Sequence, residues 1–256
     1  HGAPRRAPRP SVSRQPGTVL VVQHQPSCPP AWLGEWLVDS GVMLRVARPD
    51  VGDPLPTDLA AYQGLVVLGG SMGATDDHRA PWLEPTRGLL REAAEHGVPA
   101  LGVCLGHQVA AVALGGRVAP NPRGQTMGLH PVSWTPAAAT DPLLAALVAA
   151  HPRPVAVHWN DDIVVTGPPG SVALATAPHG ELLAARFAPT VWGLQWHPEA
   201  GADVVRPWAE DDRSRAAALG VYVDEHVEAI RAAEPALRHT WSGLAGTFAA
   251  LARAAS

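Results

Sequence analysis

Short runs of consecutive apolar residues alternate with amphipathic segments along the first half of the chain. Strands are predicted at 18–22, 42–46, 64–68 and 98–103, and helices at 32–39, 81–96 and 105–114. Gly97 is placed to end the second helix. Strands that are apolar throughout need cover on both faces, so this alternation predicts an α/β domain whose parallel sheet lies between two layers of helices.

The second half has a different pattern. Strands are predicted at 127–134, 155–157, 163–165, 172–176, 182–187 and 191–195, and helices at 213–233 and 237–254. Glycine, proline and asparagine separate these strands, which indicates hairpins attached to the same sheet. We therefore expect a flexible basic tail rich in proline and arginine over residues 1–16, the main domain over 17–210, and C-terminal helices over 211–256 packed on that domain.

Composition narrows the function classes. Of the 256 residues, 46% are hydrophobic and 16% charged, as in globular proteins, and the net charge of −4 gives no reason to expect nucleic acid or an anionic membrane as partner. All basic residues are arginine, which excludes a lysine Schiff base and a P-loop lysine in this chain. No apolar stretch reaches the length of a membrane span. Two cysteines make no disulfide framework, so a reducing cytoplasmic location is expected.

Cys104 lies on the segment GVCLGHQ (102–108), between a predicted strand and a predicted helix. There the sulfur would be exposed close to unsatisfied backbone N–H groups and to the positive end of the helix dipole, which favour the nucleophilic thiolate. Gly102 and Gly106 would allow backbone segments to approach closely, as in strand–turn–helix nucleophile elbows. A buried structural cysteine is the alternative interpretation.

The segment Trp196–Glu199 (WHPE) supplies a base for such a thiol. His197 follows an apolar strand, Pro198 forces a turn, and Glu199 can then bond to one imidazole nitrogen and fix the tautomer. A surface His and Glu in a loop is the alternative. Together with Cys104, the motif predicts acyl-transfer chemistry through a cysteine.

Two further segments are candidates for contacts with the substrate. Backbone N–H groups of Gly70, after the third strand, and of Leu105 could form an oxyanion hole; a plain turn is the alternative. The segment 158–162 (HWNDD) fits substrate recognition, a hairpin turn, or a metal site built from His158, Asp161 and Asp162. His107 is expected to pack or to line the substrate pocket.

From about 18 to 208 the sequence resembles class I (triad-type) glutamine amidotransferases, through Gly69–Gly70, GVCLGHQ and His197–Glu199. The stretch 76–92 is most similar to stand-alone members related to the amidotransferase domain of GMP synthase. The resemblance implies a flavodoxin-like, doubly wound fold and a Cys104–His197–Glu199 triad that hydrolyses the amide of glutamine through a thioester, without a cofactor.

The resemblance also places the substrate near Gln108 and the stretch Trp159, Asn160 and Asp161; at Asp161 the family often has glycine. No synthase segment follows within this chain, so ammonia would pass to a separate synthase subunit. Two alternatives remain open: a free-standing hydrolase of γ-glutamyl amines, and a non-catalytic binding module. Neither nucleic acid nor membrane is expected as a partner.

Overall fold

The computed structural model describes residues 17–255; the predicted basic tail (1–16) lies outside them. The strands are β1 Thr18–Val22, β2 Met43–Ala47, β3 Gly64–Val67, β4 Ala100–Val103, β5 Arg117–Pro120, β6 Thr126–Pro131, β7 Ser133–Trp134, β8 Val155–Asn160, β9 Asp162–Thr166, β10 Val172–Thr176, β11 Leu182–Ala188 and β12 Val191–Leu194. The helices are α1 Ala31–Asp39, α2 Leu83–His96, α3 Leu105–Ala113, α4 Ala145–Ala150, α5 Ala202–Ala218 and α6 Val223–Ala254.

The main sheet has the strand order β2-β1-β3-β4-β12-β11-β10-β7. Its first five strands are parallel, and β11, β10 and β7 continue it in antiparallel pairing. One apolar core holds buried residues of α1 and α6, and the other those of α2 and α3, so helices cover both faces of the sheet. The predicted flavodoxin-like, doubly wound class is confirmed.

The parallel strands end where their apolar runs end, and the chain then enters loops or helices at one edge of the sheet. Gly69 and Gly70 follow β3, Cys104 follows β4, and His197 follows β12. Strand β4 pairs with both β3 and β12, so these three segments are neighbours at the carboxyl edge, where ligands bind in open α/β sheets.

Two details of the predicted second half are wrong. Strands β5 with β9 and β6 with β8 form separate antiparallel pairs instead of extending the main sheet. The predicted strand 127–134 is divided at Val132, so that β6 joins β8 beside α6 while β7 joins the sheet edge. Strand β5 was not predicted.

The bounds predicted for the C-terminal helices are also wrong. Helix α5 begins at Ala202 and ends near Gly220, whose φ of 74° is left-handed, and α6 runs without a break through Pro235. A proline in a helix interior costs about 3 kcal/mol. In α6 the burial of apolar side chains before and after Pro235, Ile230 and Trp241 among them, offsets that cost. Helix α6 packs against α1, α5, β6 and β8.

Candidate active site

Cys104 lies in a strained turn between β4 and α3. Its φ of 51° and ψ of −105° fall outside the regions that non-glycine residues usually adopt, and its N–H donates to the Leu194 carbonyl at 2.8 Å. A side chain at Gly106 would overlap the carbonyl oxygen of Val67, and one at Gly102 would lie 2.7 Å from the His107 nitrogen. Both glycines are therefore required by the close approach that holds the turn.

His197 and Glu199 form a buried hydrogen-bonded pair. Nδ1 of His197 lies 2.7 Å from Oε1 of Glu199, and the residues are 4% and 1% exposed. The His197 N–H donates to the Val157 carbonyl at 2.8 Å, which attaches the segment to β8. The ring of Trp208 packs on the imidazole with centroids 4.5 Å apart. The orientation of the imidazole is thereby fixed from two sides.

The His197 imidazole also lies close to the Cys104 side chain, since a Cβ placed on Gly69 would lie 3.2 Å from Cε1 of His197 and 3.7 Å from Cβ of Cys104. Burial lowers the pKa of His197, but the charge of Glu199, the charge of Cys104 and the hydrogen bond to Glu199 raise it overall, to about 10. The structure therefore brings the three predicted triad residues together, with an imidazolium favoured between a sulfur and a carboxylate.

Gly70 and Leu105 meet beside the cysteine. A Cβ on Gly70 would lie 2.8 Å from Cδ2 of Leu105, and one on the preceding Gly69 would lie 3.7 Å from Cβ of Cys104. Leu105 is the first residue of α3, where a backbone N–H has no partner within the helix. In the described part of the chain neither the Gly70 nor the Leu105 N–H donates to another group, so both donors are available to a ligand.

A cavity of about 330 Å³ opens over these groups, and we call it the Cys104 cavity. Its lining consists of Gln25, Cys28, Gly70, Ser71, Met72, Gly73, Cys104, Gln108, Gln125, Trp159, Asn160, Asp161, Asp162, His197, Trp208, Asp211, Asp212 and Arg215. Of the predicted site residues, Leu105 and Glu199 lie behind this lining. A volume of this size holds a small polar molecule with part of a second group.

The predicted substrate segment forms one wall of the cavity. The Trp159 carbonyl lies 3.7 Å from the Cys104 sulfur, and Nδ2 of Asn160 donates to the Asp162 carbonyl at 3.0 Å. Nε2 of Gln108 donates to that same carbonyl at 2.9 Å. Gln108 therefore lines the cavity and also fixes the turn between β8 and β9.

Asp161 bonds to a helix that the motifs did not indicate. Arg215 of α5 donates to both Asp161 oxygens, at 2.9 and 3.1 Å, and to Oδ1 of Asp212 at 2.7 Å. Oδ2 of Asp212 accepts from the indole of Trp159 at 2.8 Å and from Gln125 at 2.7 Å. At the position where the family often has glycine, this chain therefore has an ion pair between the β8–β9 turn and α5.

Sequence reasoning missed the whole face that α5 presents to the cavity. Trp208, Asp211, Asp212 and Arg215 follow the i, i+3, i+4, i+7 spacing of one helix face, and that spacing was the available signal.

Cys28 was missed as well, because no local pattern marks it. Burial, and then the nearby charges of Cys104 and Glu199, raise the pKa of the Cys28 thiol, which favours the unreactive protonated form.

The other candidate histidines do not join the triad. His107 is buried against Phe187, with ring centroids 5.1 Å apart, outside the cavity lining. Burial lowers its pKa to about 4 and that of His158 to about 3, so both rings stay neutral. Among residues 17–255, His158, Asp161 and Asp162 do not form a group able to hold a metal ion.

The glutamine amidotransferase class-I family model matches residues 33–206, and the chain belongs to this family. A glutamine-hydrolysing GMP synthase subunit from Halobacterium salinarum is 36% identical over 145 residues, 56% of this chain and 69% of the relative. Aminodeoxychorismate synthase of Streptomyces griseus is 38% identical over 119 residues, but the match spans 44% of this chain and only 15% of that protein. Gamma-glutamyl peptidase 4 of Arabidopsis thaliana is 27% identical over 59% of each chain.

Solved structures agree with this assignment. A glutamine amidotransferase from Methylobacillus flagellatus superposes with a TM-score of 0.79 at 25% identity, covering 91% of this chain and 94% of the other. One from Thermotoga maritima, at 22% identity, shares the fold with a TM-score of 0.78 over 91% of this chain and 97% of the other. Within residues 17–255, no helix is both long and apolar enough to cross a bilayer.

Proposed function

We propose that this protein is a glutaminase-type hydrolase in which Cys104, His197 and Glu199 cleave the side-chain amide of glutamine through a thioester. The observation that carries the proposal is the 2.7 Å contact between His197 and Glu199 behind a cysteine in a strained turn facing the Cys104 cavity. A reactive thiol, a fixed imidazole and a carboxylate that orients it are the three parts that cysteine acyl transfer requires.

In the first step the Cys104 sulfur attacks the amide carbon. The proton of the thiol passes through His197 to the departing nitrogen, the C–N bond breaks, and ammonia leaves a γ-glutamyl thioester on Cys104. In the second step water attacks the thioester with His197 as the base, which releases glutamate and restores the thiol. Glu199 balances the charge of the imidazolium in both steps.

The reaction also requires stabilisation of the negative charge that develops on the oxygen of the attacked amide. The free N–H groups of Gly70 and Leu105 support an oxyanion hole beside Cys104. Because these donors are held by the backbone before substrate arrives, they need no reorganisation when charge develops. Gln108, Trp159, Asn160 and Asp161 are proposed to position the substrate, since all four line the same cavity.

The similarity to a GMP synthase subunit supports delivery of the released ammonia to a separate synthase partner. Cys28 and Cys104 are both free thiols, which supports action in the reducing cytoplasm. A second candidate function is the hydrolysis of γ-glutamyl amines by the same thioester route. It is favoured by the similarity to a gamma-glutamyl peptidase and by a cavity larger than a glutamine side chain needs.

The test measures glutamate release by the purified protein from glutamine and from a panel of γ-glutamyl amides. Turnover of glutamine that rises when a co-purifying synthase is added supports the first function, and turnover of γ-glutamyl amines alone supports the second. Both activities should vanish in Cys104→Ala. Absence of glutamate release from every substrate would leave only a binding module on the same fold.

A further inference from the structure

The Cys104 cavity has a marked excess of negative charge. Four carboxylates line it, Asp161 and Asp162 from the β8–β9 turn and Asp211 and Asp212 from α5, against the single guanidinium of Arg215. Three negative charges are therefore left without a cation in the lining. The imidazolium of His197 is balanced by Glu199, which lies behind the lining, so this pair does not change the balance.

The four carboxylates divide into two kinds. Asp161 and Asp212 are already bonded, to Arg215 and, for Asp212, also to Trp159 and Gln125. Over residues 17–255, by contrast, no donor reaches the carboxylate of Asp162 or that of Asp211. Asp162 and Asp211 are thus the two carboxylates that are free to accept hydrogen bonds from a ligand.

A second observation also points to a ligand that donates hydrogen bonds. Asn160 lines the cavity and is only 7% exposed, yet its Oδ1 accepts no hydrogen bond from any described residue. A buried acceptor without a donor costs free energy, which a bound donor would recover. Burial first, and then the charges of Asp161 and Asp76, raise the pKa of Asp162, as expected where negative charge is concentrated.

The glutamyl part of any substrate cannot balance this charge. Its α-ammonium and α-carboxylate cancel, and ammonia leaves as a neutral group, so glutamine would leave three carboxylates uncompensated. A leaving amine with a second, protonated nitrogen would meet Asp162, Asp211 and the Asn160 oxygen with N–H donors. Charge-assisted hydrogen bonds of this type are stronger than neutral ones.

We infer that the substrates of this site are γ-glutamyl derivatives of aliphatic diamines, whose distal ammonium is held by Asp162 and Asp211. This inference rests on the second candidate function above, the hydrolysis of γ-glutamyl amines by the same thioester route, and defines the leaving amine. The Cys104 sulfur replaces the diamine at the glutamyl carbon, the departing nitrogen takes one proton through His197, and water then releases glutamate. The diamine leaves with its distal ammonium unchanged.

The experiment compares two amides that differ in charge alone. γ-Glutamyl-1,4-diaminobutane and γ-glutamyl-n-pentylamine have the same length, and the second has a methyl group where the first has the ammonium. Glutamate, the product common to both, is measured for each, with glutamine as a third substrate. The variants are Asp211→Asn and Asp162→Asn, each checked by circular dichroism. Asp39→Asn, an exposed carboxylate on α1 outside the cavity lining, is the matched control.

We expect kcat/KM for the diamine amide to exceed that for the pentylamide by about tenfold or more. The ratio should fall towards one in Asp211→Asn or Asp162→Asn and in 0.5 M salt, and should be unchanged in Asp39→Asn. Equal rates for the two amides would overturn the inference while glutamine turnover still supported the proposed function. Equal losses for both amides in the two cavity variants would overturn it too, because those carboxylates would then bind the glutamyl end. No glutamate from any substrate would overturn the proposed function itself.

Discussion

His197 and Glu199 face each other across Pro198, with Nδ1 of the imidazole 2.7 Å from Oε1 of the carboxylate. The pair is buried, so its hydrogen bond is not weakened by competing water. Because Nδ1 is occupied, Nε2 is the ring nitrogen left for the Cys104 thiol. The proposed reactivity of the thiol depends on this relationship.

The substitution Glu199→Gln tests the role of the His197–Glu199 pair directly. The substitution keeps the shape of the side chain but removes the charge that favours the imidazolium. We expect kcat for amide hydrolysis to fall at least about a hundredfold, with the fold intact by circular dichroism. Glu95→Gln, an exposed carboxylate on α2, should change nothing. Full activity in Glu199→Gln would remove Glu199 from the mechanism.

The raised pKa of His197 predicts that stability decreases as the solution becomes alkaline. The folded pKa of about 10 lies above the ordinary value of 6.5, so the stabilisation is complete below pH 6.5 and is lost as pH rises through 10. We expect the free energy of unfolding in urea to fall between pH 7 and 10 by roughly 3 to 4 kcal/mol more than in His197→Gln.

Imidazole NMR provides an independent check. The His197 ring should still be protonated at pH 8, whereas His24, whose pKa is lowered to about 4 mainly by burial, should be neutral at that pH. Titration of His197 close to its ordinary pKa would show that no ion pair with Glu199 and Cys104 forms.

The close packing behind the elbow predicts opposite effects for two helical glycines. Gly106→Ala places a methyl group against the Val67 carbonyl, and we expect a loss of about 3 kcal/mol in the free energy of unfolding. In Gly88→Ala, on α2, the new methyl group meets only Arg91 at 3.9 Å, so the variant should gain up to about 1 kcal/mol. Equal stabilities in urea denaturation would contradict the packing at the elbow.

The ion pairs of Arg215 are expected to contribute little to stability. Its side chain is 50% exposed, so Arg215→Gln should lower the free energy of unfolding by less than about 1 kcal/mol. Arg206→Gln, in the same helix but 4.0 Å from its partner Glu228, is the control. A loss of several kcal/mol at Arg215 alone would mean that its bonds to Asp161 and Asp212 hold α5 in place.

The parallel half of the fold could be predicted because four of its five strands, β1, β3, β4 and β12, are buried throughout and largely apolar, whereas the edge strand β2 is mostly exposed. The strand Thr18–Val22 is buried along its whole length, and its run of four consecutive apolar residues indicates this burial in the sequence. The C-terminal helices could not be delimited in the same way. Pro235 resembles a helix end locally, but long-range packing keeps α6 continuous, while the end of α5 depends on the backbone of Gly220.

The residues of the candidate site also fall into two groups, those that a local sequence pattern marks and those that depend on long-range packing. Cys104, His197 and Glu199 lie in short segments whose local chemistry marks them, and the structure brings them together. The sequence predicts a helix that begins at 213, whereas α5 begins at Ala202. The predicted helix therefore excludes Trp208 and Asp211, and the face that they share is not apparent from the sequence. Their role depends on where α5 crosses the sheet edge, which a sequence window does not contain.

The most direct test of the account is mass spectrometry after reaction with an electrophilic glutamine analogue. Both Cys28 and Cys104 line the cavity, so the position of the adduct identifies which of the two thiols is the nucleophile. We predict one adduct per chain, located on Cys104, abolished in Cys104→Ala and retained in Cys28→Ala. An adduct on Cys28, or labelling that persists in a folded Cys104→Ala variant, would contradict Cys104 as the nucleophile.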